Sequence, residues 1–154
     1  MSDHLFHHHT SGLPKAFSVN KITRHNERAI SIFLDGSLPG TQPGQFVMAW
    51  LPEAGEKPYS VAGLDPIRLM VVDVGPFSHA LHNINEGDRL WLRGPLGHGF
   101  EIQPEQHAVI AGGGFGIAPL YYLAMELLKN RCKVQVVLGA RSAGDIIMAR
   151  SEEH

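Results

Sequence analysis

Four segments combine groups that could hold a flat, phosphorylated ligand. Lys57-Pro58-Tyr59-Ser60 sets a cation, a ring and a hydroxyl side by side. A cation pairs with phosphate, a ring lies against a planar group, and a hydroxyl hydrogen-bonds its polar edge. Alone, the tetrapeptide reads better as an exposed lysine at a turn, with Tyr59 and Ser60 starting an ordinary strand. Gly75-Pro76-Phe77-Ser78 ends an apolar run and opens a helical one. Ser78 there is either a phosphate-binding group in a helix first turn or a plain cap.

The third segment, residues 109–119, runs Val-Ile-Ala-Gly-Gly-Gly-Phe-Gly-Ile-Ala-Pro. A β-type run enters a glycine cluster, and a helical pattern leaves it. Glycine lets the backbone turn sharply and approach a ligand with no Cβ in the way. The helix start then offers N–H groups and a positive dipole end to an anion, which is how dinucleotide pyrophosphates are held. The match to the dinucleotide fingerprint G-x-G-x-x-G is incomplete. Counted from Gly114, Pro119 stands at the third glycine; counted from Gly112, Ile117 does. The fourth segment, Gly139-Ala140-Arg141-Ser142, follows the next strand where an acidic residue would grip a ribose hydroxyl. Arg141 there could take a ribose phosphate or lie in a solvated loop.

These segments need elements to position them. Up to about Gln103 the pattern is β-like, with strands expected at Ala16–Thr23, Ala29–Leu34, Gln45–Leu51, Tyr59–Ala62, Ile67–Val74 and Arg89–Arg93. Pro52 to Lys57 reads as a turn, Phe77–Ile84 as a short helix behind Pro76, and Gly94–Phe100 as a closing loop. Six short strands at close spacing predict a small antiparallel barrel. After Pro104 the period changes. Val109–Ala111 reads as a strand, Pro119–Lys129 as a helix, Val134–Leu138 as a strand and Ala143–Arg150 as a further helix. That alternation predicts parallel pairing through a right-handed crossover. The fold class is thus mixed: a six-stranded antiparallel barrel at residues 13–103, then a truncated parallel α/β nucleotide-binding domain at 104–154. Residues 1–12 read as a disordered tail.

Composition narrows the partners. Of the 154 residues, 44% are hydrophobic and 18% charged, which fits a folded globular chain. A net charge of −2 without a basic run argues against nucleic acid. The uncharged stretch from Ala108 to Met125 is interrupted by four glycines and Pro119, so two elements meeting at a loop is a better reading than a membrane span. Cys132 is the sole cysteine, excluding an internal disulfide framework and a cysteine-ligated iron–sulfur cluster built by this chain alone. A cytoplasmic setting follows. No metal site is expected: His7 to His9 belong to the tail, and His79 and His82 lack a third ligand.

Taken in order, the segments resemble the ferredoxin–NADP reductase superfamily, and within it the electron-transfer subunits of dihydroorotate dehydrogenase and the sulfhydrogenase gamma subunits. The residues carrying the resemblance are Pro43-Gly44-Gln45-Phe46, Lys57-Pro58-Tyr59-Ser60, Gly75-x-x-Ser78 and Gly87-Asp88. They continue through Gly94-Pro95-Leu96-Gly97-x-Gly99-Phe100, Gly112-Gly113-Gly114-x-Gly116-Ile117-Ala118-Pro119 and Gly139-Ala140-Arg141. The resemblance implies an FAD-binding barrel, with NAD(P)H as the substrate of the second domain. It implies that Lys57, where the family usually has arginine, faces the FAD pyrophosphate, and that Pro58 and Tyr59 lie along the flavin. Ser60 would sit near the flavin N5 edge and contribute most to hydride transfer. Gly75, Pro76, Phe77 and Ser78 would help bind the FAD phosphates. Gly113, Gly114, Phe115, Gly116 and Ile117 would cradle the NAD(P) pyrophosphate, with Arg141 near the adenosine ribose.

The implied function is an oxidoreductase that passes hydride from NAD(P)H to FAD and electrons onward to a partner subunit or acceptor protein, as in pyrimidine biosynthesis. The alternative is a truncated, non-catalytic flavin- or nucleotide-binding subunit with an assembly role. Lys57 and the short second domain favour that alternative. Two parallel strands leave an open edge and an apolar patch, so a homodimer that completes the sheet, packing of the half-domain onto the barrel, or a chain that is a fragment of a longer protein is expected.

Overall fold

The computed structural model describes residues 12–145. Six strands form a closed barrel: β1 (Lys15–Arg24), β2 (Ala29–Leu34), β3 (Phe46–Leu51), β4 (Gly55–Gly63), β5 (Ile67–Val72) and β6 (Arg89–Leu96). Their order around the barrel is β1-β2-β5-β4-β3-β6, and every neighbouring pair is antiparallel. Closure comes from β1 pairing with β6, with Lys15 opposite Leu92 and Ser18 opposite Arg89. One short helix, α1 (Pro76–His82), follows β5. The interior is filled by aliphatic side chains such as Ile30, Ile32, Leu34, Val47, Leu69 and Leu92, with Phe77 and Leu81 of α1 packed against them.

The barrel strands differ from the sequence reading most at β4 and β6, and β5 ends at Val72 rather than Val74. β4 begins at Gly55, inside the expected turn, and Pro58 lies within it. Proline is tolerated there because of strand alternation. The Val61 N–H donates to Gln45 O at 3.1 Å, so the Pro58 nitrogen, three residues away, faces the opposite edge. On that edge β5 pairs only with Val61 and Gly63. Likewise β6 runs through Gly94 and Pro95 to Leu96, which pairs with Phe46 across a register shift. The bulge takes up the glycine and proline that read as a loop.

Beyond the barrel, β7 (His107–Gly113) leads through a 3₁₀ turn (Gly114–Gly116) into α2 (Ile117–Lys129) and then β8 (Lys133–Gly139). β7 and β8 are parallel and in register from His107 opposite Lys133 to Gly113 opposite Gly139. A second 3₁₀ turn spans Ala143–Asp145, where a longer helix to Arg150 was expected; residues 146–150 of that expectation, and the 1–11 part of the expected tail, lie outside the described residues.

The α2 helix packs on both structures at once. Ile117 and Ala118 sit against Ala29, Ala62 and Met70 on the outer wall of the barrel. Small residues on β2 and β4 let the helix come close. The helix covers Ala29 at the start of β2, while His25 and Arg68 bond Ser31 and Arg68 lies over Phe33. The outward side of this strand, which reads as half-buried and alternating, is therefore largely covered as well. Tyr122, one turn further along α2, is buried at the barrel core, and its hydroxyl donates to Thr41 O at 3.1 Å. Burial pushes its phenol above the ordinary tyrosine range, aided by Glu126 and Asp65. Tyr122→Phe should cost about 1 kcal/mol for the lost hydrogen bond and Tyr122→Ala about 3–5 kcal/mol for the cavity, read from urea unfolding midpoints.

Candidate functional site

β4 and β5 separate beyond the Val61–Leu69 pair, and the wedge they leave is a cleft of about 500 Å³. Lys57, Pro58, Tyr59 and Ser60 form one wall. Met70, Val72 and Val74 form the other, Gly75 to Ser78 close the end, and Ala118 of α2 contributes from above. All eight residues that the sequence singled out around positions 57–60 and 75–78 therefore meet in one place.

Alternation along β4 decides what each contributes. Tyr59 shares the inner face with Val61, while Pro58 and Ser60 share the outer face with Ala62. The Tyr59 ring lies 6.1 Å from that of Phe77, tilted by 33°. Its phenol is pushed up to about 12, first by burial and second by the charge of Asp73. It stays neutral at physiological pH. The same alternation points the Ser60 backbone N–H away from β3, to the edge that β5 has left, so a polar strand edge faces the cleft beside the Ser60 hydroxyl.

Ser78 is buried and turned inward. Its Oγ accepts the N–H groups of Val74 at 2.9 Å and Gly75 at 3.0 Å, and donates to Gly75 O at 2.9 Å. The hydroxyl thus ties the end of β5 to α1. Asp73 reinforces this corner: it bonds His79 Nδ1 at 3.0 Å, and its N–H donates to Arg28 O at 2.8 Å. The hydrogen bond from His79 is the main reason the Asp73 carboxyl titrates below its ordinary value, helped by the charges of His79 and His82 and by Ser78.

A second cleft, of about 540 Å³, opens on the other side of the seam between barrel and half-sheet. Gly114, Gly139, Ala140, Arg141 and Asp145 line it from the half-sheet, and Asn26, Arg28, Ala29 and Val72 from the barrel. The two clefts share Val72. The glycine turn is shaped for close approach. A Cβ on Gly113 would stand 2.3 Å from Gly139 O, and Gly114 has φ +56° with nothing within 4 Å of a Cβ position. Phe115 and Gly116 complete the 3₁₀ turn. Ile117, by contrast, is buried in the seam.

Several lining residues escaped sequence reading. Met70 and Val72 belong to an apolar run that looks like core on either face, although Val74 just beyond it is 64% exposed. Asn26 and Arg28 sit in a hairpin turn, and only the docking of β8 brings them beside Gly139. Among the described residues, no three His, Cys, Asp or Glu side chains gather as a metal site, and no helix is long and apolar enough to cross a membrane.

A closed six-stranded antiparallel barrel flanked by a glycine turn and parallel strands, with one cleft on each side of the seam, is the architecture of the ferredoxin–NADP reductase superfamily. The chain is a homologue of the electron-transfer subunits of dihydroorotate dehydrogenase B, and its structural neighbours lie in that superfamily. It is 46% identical over 112 residues to a Thermococcus kodakarensis protein named "Probable dihydroorotate dehydrogenase B (NAD(+)), electron transfer subunit", covering 73% of this chain and 47% of the relative. The protein of that name from Methanothermobacter thermautotrophicus is 35% identical over 140 residues, 88% of this chain and 52% of the relative. Among solved structures, an NADH-dependent reduced ferredoxin–NADP oxidoreductase studied for flavin-based electron bifurcation matches with a TM-score of 0.78 and 32% identity, over 90% of this chain and 53% of its own. The chain spans about half the length of the curated relatives it matches. No family model matches it.

The Asp73 corner gives a pH test. Because the folded carboxyl titrates below its unfolded value, its contribution is fully present above the ordinary carboxylate range and is lost as pH falls through the folded value. Asp73→Asn should lower the urea midpoint at pH 7, and the gap to the parent protein should close below about pH 4.

Proposed function

We propose that this chain holds FAD in the first cleft and receives NAD(P)H in the second, passing electrons from the nucleotide through the flavin to a partner protein. The observation that carries the reading is the pair of clefts meeting at Val72, one beside a half-unpaired strand edge and the other beside a glycine turn. The homology to electron-transfer subunits supports it.

The residues present fit a flavin. The exposed edge of β4 offers backbone donors and acceptors to a polar ring edge, while Met70 and Val72 offer apolar wall to its face. Tyr59, neutral and braced on Phe77, adds a ring. Lys57 supplies a charge for phosphate, with less geometric grip than the planar fork of an arginine. Since the Ser78 hydroxyl is committed within its own corner, its part is to fix the shape of the Gly75–Ser78 wall. When bound, FAD would supply the redox chemistry, the uptake of hydride and its release as single electrons. The chain's own contribution is to position the rings, with Ser60 as the hydroxyl nearest the reacting edge. Val72 is the side chain common to the two ligands' walls.

Partner binding follows from the surface of the half-sheet. Val109 of β7 and Val137 of β8 are exposed large apolar residues on the face of the half-sheet away from Ile110 and α2. We assign this face to a subunit contact, either the redox partner or a second copy that continues the sheet, in a cytoplasmic assembly. The non-catalytic alternative keeps that contact without turnover.

Purified protein should be yellow or take up added FAD stoichiometrically, and should bleach when NADH or NADPH is added without air. A colourless protein that binds no added FAD removes this reading. Lys57→Ala should weaken FAD about tenfold and Lys57→Arg should tighten it, measured by flavin fluorescence. Ser60→Ala should slow flavin reduction in stopped flow with FAD content unchanged; unaltered kinetics would take Ser60 out of the hydride step. In sedimentation, Val137→Lys should shift any dimer toward monomer, whereas an unchanged distribution places the contact elsewhere.

A further inference from the structure

The N-terminal turn of α2 meets the barrel through apolar residues, which draw the helix close without fixing how it is turned. Burial of apolar surface is non-directional, and the wall beneath Ile117 and Ala118 includes two alanines, Ala29 and Ala62. Rotation about the helix axis is set by directional contacts instead, and two adjacent tyrosines make them. Tyr122 turns into the barrel and donates to Thr41 O at 3.1 Å. Tyr121, about 100° around the helix, meets Arg68, whose guanidinium carbon stands 5.0 Å from the ring centroid.

The barrel prepares Arg68 for that contact. It lies between Ile67 and Leu69 of β5, both fully buried, so its side chain leaves on the outer face. Phe33 stands directly opposite on β2, and the guanidinium carbon is 5.1 Å from that ring's centroid. The Arg68 Nε–H donates to the Ser31 hydroxyl at 3.0 Å. Ser31 is itself fully buried and bonded to His25 Nε2 at 2.8 Å. Lys21 of β1 brings a second cation to Phe33, its Nζ 5.9 Å from the centroid. The guanidinium is thus held by one edge and over one ring, and Tyr121 supplies the second ring.

Arg68 lines neither of the two clefts at the seam, yet the helix it grips borders both. Ala118, in the first turn of α2, lines the first cleft, and Gly114, in the turn just before the helix, lines the second. The dependence is unequal. The half-domain gives the first cleft only Ala118, whereas it gives the second a whole wall, from Gly114 to the residues after β8.

We propose that Arg68 is a positioning residue for the second cleft: by gripping Tyr121 it fixes the rotation of α2, and through the helix the spacing of the glycine turn from the barrel wall. The ligand consequence rests on the nucleotide role of that cleft given above, and the grip itself does not.

Hydrogen exchange of the whole protein, read by mass spectrometry, tests the grip. Arg68→Ala and Tyr121→Ala should each speed exchange in α2, β7 and β8 about tenfold, while β1, β3 and β6 exchange as in the parent. The double variant should be no faster than either single one, because both remove the same contact. Tyr121→Phe keeps the ring and should match the parent. Arg68→Lys should restore only part of the protection, since an ammonium is a point charge without a planar face. Calorimetric titration of the FAD-loaded protein with NAD+ and NADP+ gives the second readout. Arg68→Ala should weaken whichever nucleotide the parent binds about tenfold and change FAD affinity less than about twofold. Exchange that rises equally in barrel and half-domain, or single effects that add in the double variant, overturns the grip. Parent-like nucleotide affinity in Arg68→Ala overturns its role in the cleft. A parent that binds neither nucleotide, with FAD retained and exchange as expected, removes the nucleotide role of the cleft and leaves the grip standing. A parent that takes up no FAD takes down the wider reading, and exchange alone then decides the grip.

Discussion

The seating of α2 against the barrel is the contact on which the rest of the molecule depends. A two-stranded parallel sheet has too little apolar surface of its own to stand alone, and helix packing on one side of it leaves the strands half-covered. Here the same helix spends its N-terminal turns on the barrel wall, with Ile117 and Ala118 on Ala29, Ala62 and Met70. Tyr122 then reaches the barrel core and satisfies its hydroxyl on Thr41 O. The small side chains at Ala29 and Ala62 allow the approach. Larger ones would lift the helix and open both clefts to solvent. Arg68 of the barrel adds a cation–π contact, its guanidinium 5.0 Å from the centroid of Tyr121.

Much of this plan was legible in the sequence, and the reasons differ by segment. The strands were readable because β-branched and apolar residues cluster between turn signals, as at Ile67 to Val72. The change to strand–helix–strand was readable from the glycine cluster and the helical run after it. The boundaries of β4 and β6 were not, since Pro58 and Gly94-Pro95 carry the local signature of turns. Their tolerance depends on which neighbour each edge has, a non-local fact. The cleft residues at 57–60 and 75–78 could be named from the chain. Their meeting could not be deduced from periodicity, because it requires β4 and β5 to part after a single shared stretch. Arg28 was invisible for the same reason: nothing near it in sequence is near it in the cleft except its own hairpin.

Hydroxyls show how burial separates similar residues. Ser60 and Ser78 both line the first cleft, yet Ser78 is buried with its oxygen fully engaged by Val74 and Gly75, whereas Ser60 is half-exposed on an edge without a strand partner. One is architecture and the other is available. Tyr59 and Tyr122 divide in a related way. Both phenols are raised by burial, but Tyr122 has a carbonyl to donate to, and Tyr59 stands at the cleft beside Phe77.

The pairing of β1 with β6 also governs how the molecule comes into being. Lys15 to Ser18 must wait for Arg89 to Leu92, so the barrel closes only after almost all of its chain has been made. Closing so long a loop is entropically costly and slow compared with forming a hairpin such as β1–β2. Until that moment the wedge between β4 and β5 has no fixed floor. During synthesis, α2 emerges after the last barrel strand and so meets a wall that is already assembled or nearly so. Any ligand that enters the wedge therefore meets a barrel that has already closed.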